Sequence, residues 1–186
     1  MKHLGSGAVL SLAELISIRK LLTQINGLAD WYAKCENKRP ELEYLFDSLF
    51  PNKYLENKLD VSIIDENELA DEASSELASI RRKITACGQK IRDTLEKMIK
   101  SQSVNKYLQD NLVTVRDGRY VLPVKSEHKN SIQGFVHDTS SSGSTLFIEP
   151  AAVVEANNDI KILEGRELDE INRIIKSLSF ECEQIK

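Results

Sequence analysis

Leu77, Ile80, Ile84, Cys87, Ile91, Thr94 and Met98 are separated by alternating threes and fours, which puts them on one stripe of a helix for three heptads. The spacing predicts a helix over about residues 71–100, roughly 45 Å long at ~1.5 Å per residue and longer than most helices of a single core. Such a helix needs a long partner. Cys87 and Thr94 are weak seam residues and Gly88 lowers helix propensity, so packing within a helical bundle is expected rather than an independent dimeric zipper.

The apolar period then changes to two. Val113 and Val115 alternate with Thr114 and Arg116, Asp117-Gly118 is a type I′ turn signal, and Tyr120, Leu122 and Val124 alternate on the return strand. Pro123 suggests a sheet edge or a bulge. Further strands fit Ile132 to His137 and Thr145 to Ile148. A small antiparallel layer is therefore expected between helical parts.

Helical spacing returns after Pro150, a residue suited to a helix start, and no further proline follows. Ile171, Ile174, Leu178, Cys182 and Ile185 keep three-to-four spacing up to the end, with no capping glycine, as expected of a fragment of a longer protein. Upstream, Ser11-Leu12-Ala13-Glu14 has the form of a capping box, which predicts a helix from Leu12 towards Asn37. Pro40 breaks it before a short helix at Glu41 to Phe50, and Tyr54, Leu55, Leu59, Ile63 and Ile64 suggest another. The expected fold is α+β and mainly α, a long-helix bundle with a small antiparallel β-sheet. Its divisions are a helical part at 1–110, a β layer at 111–149 and the start of a long helix at 150–186.

Charge is unevenly placed. The net charge is −4, yet residues 81–130 carry 12 Lys and Arg against 5 Asp and Glu, and the remainder carries 13 against 24. The basic middle could attract phosphate backbones or acidic partners, or form a solvated helix face balanced by acidic neighbours. No apolar run reaches the ~20 residues of a membrane span and no signal-peptide core is present, so a cytoplasmic protein without a membrane partner is expected. Cys35, Cys87 and Cys182 share no metal or redox spacing and read as small hydrophobes.

Catalytic motifs fit poorly. Ser140-Ser141-Ser142-Gly143-Ser144-Thr145 has small residues, but no lysine follows and the stretch leads into a strand, whereas a phosphate loop leads into a helix. His137 lies near the serines without a G-x-S-x-G elbow or an established triad. His3, His128 and His137 are too dispersed for a metal site. Asp138 and Glu149 could pair across the hairpin, although an Asp before Thr-Ser-Ser more often closes an Asx turn. No catalytic, cofactor-binding or metal-binding residue is assigned. Ser140, Ser141, Ser142 and Gly143 are candidates for a hinge or contact loop.

The runs Arg119-Tyr120-Val121-Leu122-Pro123-Val124-Lys125 and Gly134 to Pro150, GFVHDTSSSGSTLFIEP, are distinctive. With Asp71 to Arg81, Leu108-Gln109-Asp110 and Val153-Val154-Glu155-Ala156-Asn157-Asn158, they resemble the MutS family in its second bacterial branch, MutS-two, from about Gly7 onward. Phe135 and Ala156 are modest departures, where the branch commonly has Ile and a larger apolar residue.

The resemblance implies the core or lever region of a recombination-restraining ATPase with a carboxy-terminal endonuclease domain. ATP and Mg would belong to the parent, with no cofactor in this fragment. It also implies action on mismatched or branched DNA in repair and recombination, in a parent that forms a homodimer. The alternative is a ribosome-binding rescue factor whose basic surface meets ribosomal RNA. Arg81, Arg82, Lys83, Arg116, Arg119, Lys125 and Lys129 are the candidate nucleic-acid contacts, through phosphate attraction without base readout.

Overall fold

A computed structural model describes residues 9–36 and 39–185. The fold is mainly helical with one four-stranded antiparallel sheet, as expected. Contacts group into two compact units, one formed by the chain up to Ser79 and from Leu168 onward, the other by Ile80–Glu167. The expected divisions follow element type, whereas these units follow packing.

The first unit is built on α1 (Leu12–Ala33) and α3 (Lys53–Ser62), with α2 (Pro40–Asp47) between them in sequence. The capping box at the start of α1 is formed, with Glu14 N–H donating to Ser11 Oγ and Ser11 N–H donating to Glu14 Oε2. α1 ends at Ala33, short of the expected Asn37, which lies outside the described residues. α2 starts at Pro40, where the missing N–H costs nothing at a first helical position.

Leu15 and Leu22 of α1, Leu55 and Leu59 of α3, and Leu69 and Leu77 are buried with Ile174, Leu178 and Cys182. Burial, then Glu181, pushes the Cys182 thiol up to about 11, which suits a packing residue and not a nucleophile. Ser74 begins the α4 helix (Ser75–Lys100), accepting Leu77 N–H at 2.9 Å and donating to Glu170 at 2.6 Å.

The second unit holds the sheet. β1 (Thr114–Arg116), β2 (Arg119–Lys125), β3 (Gly134–Thr139) and β4 (Thr145–Pro150) are ordered β1-β2-β4-β3. Asp117 and Gly118 both have positive φ, +50° and +70°, so the turn between β1 and β2 is the expected type I′. Leu122 and Val124 face Ile148 and Leu146 across the ladder, and this face packs on Ile91, Leu95 and Ile99 of α4 and on Ile160 of α6 (Val154–Glu183).

Here the sequence reading needs correction. The buried line on the carboxy-terminal half of α4 steps by four, through Ile91, Leu95 and Ile99, while Thr94 and Met98 are only half-buried. A heptad seam needs a supercoiled helical partner to stay at 3.5 residues per turn. A sheet imposes no supercoil, and the ordinary 3.6-residue turn carries the stripe round to Leu95 and Ile99. α4 itself starts at Ser75, after a 3₁₀ turn at Asp71–Ala73, and a short helix α5 (Gln102–Asn105) follows it. Gly88, weak for a helix, admits the Tyr120 hydroxyl 2.9 Å from where a Cβ would stand. Pro150 closes β4 and precedes a 3₁₀ turn, so α6 begins at Val154 rather than beside the proline.

Pro123 sits where the sheet tolerates it. Lys125 N–H donates to Tyr107 O, and residues two apart on a strand point their N–H groups the same way. The donor that Pro123 lacks would thus face the side of β2 where β1 has ended and only Leu108 bridges to Val124.

Two glycines separate packing from propensity. A Cβ on Gly134 would lie 2.0 Å from the Glu149 carbonyl oxygen, whereas one on Gly27, in α1, would meet nothing. Gly134→Ala should therefore cost at least the upper end of the ~1–3 kcal/mol typical of overpacking. Gly27→Ala should stabilise by about 0.5–1 kcal/mol. Urea denaturation followed by circular dichroism measures both. Two bonds from Arg173, with help from Ser74, hold the Glu170 carboxyl at about 2 instead of its ordinary 4.5. A depressed pKa contributes stability that is complete above about pH 4.5 and is lost as the pH falls towards about 2. Glu170→Gln should flatten acid denaturation in that window.

Candidate functional site

At the end of the sheet a carboxylate is buried on the central strand β4. Glu149 is 1% exposed. An isolated carboxylate there would lose several kcal/mol of hydration, so its charge requires donors. Three are present. Arg119 Nη1 of β2 donates to Oε1 at 2.8 Å, Asn157 Nδ2 of α6 donates to the same oxygen at 2.7 Å, and His137 Nε2 of β3 lies 2.5 Å from Oε2. A carboxylate only accepts, which puts the imidazole proton on Nε2.

Asn157 is 0% exposed and uses its whole carboxamide. Its Oδ1 accepts Tyr120 N–H at 3.1 Å and its Nδ2 also donates to Tyr120 O at 3.2 Å. Continuing the β2–β4 register past Leu122 and Ile148 sets Tyr120 opposite Pro150, which has no N–H to offer. The asparagine side chain takes the place of that rung. Arg119 Nη2 donates to Asn158 Oδ1 at 2.7 Å, so both asparagines of the Val153 to Asn158 run face the guanidinium or its partner.

Three of the sequence runs thereby meet in one network. RYVLPVK supplies Arg119 and Tyr120, the Gly134 to Pro150 run supplies His137 and Glu149, and VVEANN supplies Asn157 and Asn158. The two departures fall outside it: Phe135 is exposed on the edge strand β3, and Ala156 packs half-buried against the sheet core. Asp138 and Glu149 do not pair with each other. Asp138 faces Arg116 at 3.3 Å, and Arg116 in turn lies 4.1 Å above the Phe147 ring and donates to Val115 O at 3.0 Å.

The expected Asx turn is also replaced. Asp138 Oδ1 accepts only the adjacent Thr139 N–H, and the β3–β4 loop is closed by Ser140, whose Oγ and backbone both bond Thr145. Gly143 N–H returns to Ser140 O at 2.8 Å with Gly143 in the left-handed region at φ +73°, so a four-residue loop needs its glycine. Ser142 and Ser144 share a 2.8 Å hydroxyl bond. Ser141, Ser142, Gly143 and Ser144 are exposed.

The seven basic candidates separate by environment. Arg81 pairs with Glu167 at 2.7 Å, Arg116 with Asp138 and Arg119 with Glu149, while Lys125 Nζ lies 3.4 Å from Lys106 O. Arg82, Lys83 and Lys129 are exposed and make no ion pair among the described residues. The structure thus brings Arg119 into the buried network and leaves Arg82, Lys83 and Lys129 to solvent. No group of three or more His, Cys, Asp or Glu suited to a metal ion occurs among the described residues, and no helix there is long and apolar enough to cross a membrane.

No protein-family model matches the chain. Curated relatives do. It is 46% identical over 186 residues to a protein of Ruminiclostridium cellulolyticum named Endonuclease MutS2, covering 96% of this chain and 23% of that protein. Proteins of the same name from Pelotomaculum thermopropionicum and Acetivibrio thermocellus are 42% and 40% identical, over 96% and 100% of this chain. The chain spans less than a quarter of the length of these relatives.

Removing the central carboxylate leaves the Arg119 guanidinium without its counter-charge and takes an acceptor from Asn157 and a partner from His137. Glu149→Ala should cost ~3–5 kcal/mol by urea denaturation, the cost of breaking a buried pair from one side. Combining it with Arg119→Ala should cost clearly less than the sum of the two, because the second change removes the orphaned charge.

Proposed function

Since the chain belongs to the MutS2 family across the segment it spans, we propose that it is the core and lever portion of a MutS-like, DNA-associated ATPase. The match of nearly the whole chain to proteins named Endonuclease MutS2 carries this reading. The parent would bind branched or mismatched DNA in repair and recombination control, act as a homodimer in the cytoplasm and hold ATP and Mg outside this segment. This segment would do no chemistry. It would pass a shift between the ATP and DNA sites, and the Glu149 network supports that role by fixing the start of α6 to three strands of the sheet.

Direct contact with DNA falls to Arg82, Lys83 and Lys129, whose charges are unspent within the described ion pairs. Arg81, Arg116 and Arg119 would act through structure, and the Ser140 to Gly143 loop, exposed from Ser141 onward, is a proposed contact point. The endonuclease name of the relatives favours DNA over ribosomal RNA as the polyanion.

Fluorescence anisotropy with labelled four-way-junction and linear DNA tests the contact. Binding should weaken as salt rises, and Arg82→Glu, Lys83→Glu and Lys129→Glu should each lower the salt slope by about one. Absence of salt-dependent binding would remove direct contact from the proposal, and tighter binding to ribosomes than to either DNA would reverse the choice of partner. In the longer protein, Glu149→Ala should depress DNA-stimulated ATP hydrolysis more than basal hydrolysis. Equal loss of both rates would count against a transmitting role.

A further inference from the structure

On its solvent side α4 carries charge in a row. Lys83, Lys90 and Lys97 are seven residues apart, a spacing that falls only ~20° short of two full turns. The three therefore lie along one line near-parallel to the helix axis, about 10.5 Å from one to the next. All three are exposed, and none makes an ion pair among the described residues. Burial of Ile91, Leu95 and Ile99 against the sheet core turns this line outward.

The acids nearby are engaged or lie to one side. Asp93 accepts from Gln89 Nε2 at 2.8 Å, and Glu96 lies 3.8 Å from Lys100. Glu155 and Asp159 of α6 line the same hollow as Lys90, with no ion pair to it among the described residues. Arg81 is matched by Glu167. With Arg82, Arg92 and Lys100 added to the row, six cations stand against the four carboxylates of Asp93, Glu96, Glu155 and Asp159. From Arg82 to Lys97 the exposed uncharged residues are Thr85, Ala86 and Gln89. They offer neither an apolar seam for a partner helix nor a ring on which an unstacked base could rest.

We propose that this row holds one strand of duplex DNA by its phosphates, with α4 lying along the backbone. This holds only if the chain contacts DNA as proposed above, and it extends that contact to Lys90 and Lys97. Each strand of a duplex carries a phosphate about every 3.4 Å of axis, so the ~21 Å from Lys83 to Lys97 passes about six of them. Every ammonium of the row then has a phosphate within reach. Lysine is a point charge on a flexible stem, which suits phosphates that need not be met at one fixed angle. Such contacts position a duplex without reading its sequence, so this segment grips an arm of branched DNA and not its branch point.

Fluorescence anisotropy of the chain with a short labelled duplex, titrated at several salt concentrations, tests the row. Lys90→Gln and Lys97→Gln should each reduce the salt slope by about 0.9, and Lys90→Arg, which keeps the charge, should leave it unchanged. Lys20→Gln, at an exposed lysine of α1 outside the row, removes the same net charge and should also leave the slope unchanged. Circular dichroism checks that each variant keeps its helix. A single strand of equal length should bind no more tightly than the duplex. If Arg82→Glu and Lys129→Glu reduce the slope while Lys90→Gln and Lys97→Gln do not, the row is overturned and direct DNA contact stands. Absence of any salt-dependent binding overturns both. The row is also overturned if Lys20→Gln reduces the slope as much, which identifies a net-charge effect, or if the single strand binds more tightly. Competition by polyglutamate as strong as that by duplex overturns it too, since an acidic protein segment would then fit equally well.

Discussion

A charged carboxylate inside a protein has to be met by donors, and in the sheet unit that demand organises the rest. Glu149 lies on β4, an inner strand that runs between β2 and β3. There one side chain can draw on Arg119 from one neighbour, His137 from the other and Asn157 from the helix that follows. An edge position would offer one neighbour. The sheet order β1-β2-β4-β3 and the site of the buried charge are thus the same fact seen from topology and from electrostatics. The network adds specificity of arrangement more readily than net stability, since its attractions chiefly offset the hydration that each group gives up.

Backbone accounting explains the less obvious residues. A proline ends β4 and another interrupts β2, each removing a donor from a ladder that needs donors. At Pro123 the gap faces a side where the ladder has already ended. At Pro150 the Asn157 carboxamide supplies both a donor and an acceptor to Tyr120. A carboxylate at 157 would have no N–H for Tyr120 O and would face Glu149 with a like charge, and a longer amide would displace both bonds. The local choice of Asn follows from what the two prolines leave unmade.

Much of the fold could be read in the chain because its signals are local. The capping box at Ser11, the type I′ pair Asp117-Gly118 and the alternation at Tyr120, Leu122 and Val124 each act within a few residues, and each formed. The line Leu95 and Ile99 could not be read from spacing alone, because whether a helix keeps 3.5 or 3.6 residues per turn depends on what it packs against. The Glu149 network escaped for a different reason. Its donors stand 8, 12 and 30 residues away in sequence, and pairing over such separations is set by strand order, which periodicity does not give. One local clue existed: an acidic residue between Ile148 and Pro150, in a strand otherwise apolar from Leu146, is out of place unless something meets it. Of the basic residues, Arg119 looked like a surface contact for the same reason, its partner being far along the chain.

The position of Arg116 has one more effect. In a two-residue hairpin closed by Arg116 and Arg119, the next residue, Val115, turns its N–H and C=O outward from β2, and β1 has no neighbour on that side. An outward, half-apolar edge of this kind is where a foreign strand would add and where aggregation starts. Arg116 folds back so that its guanidinium occupies the Val115 carbonyl while resting on Phe147 and Asp138. The edge is also only three residues long. The same arginine that attracts attention as a phosphate contact serves as the stopper that keeps the sheet at four strands.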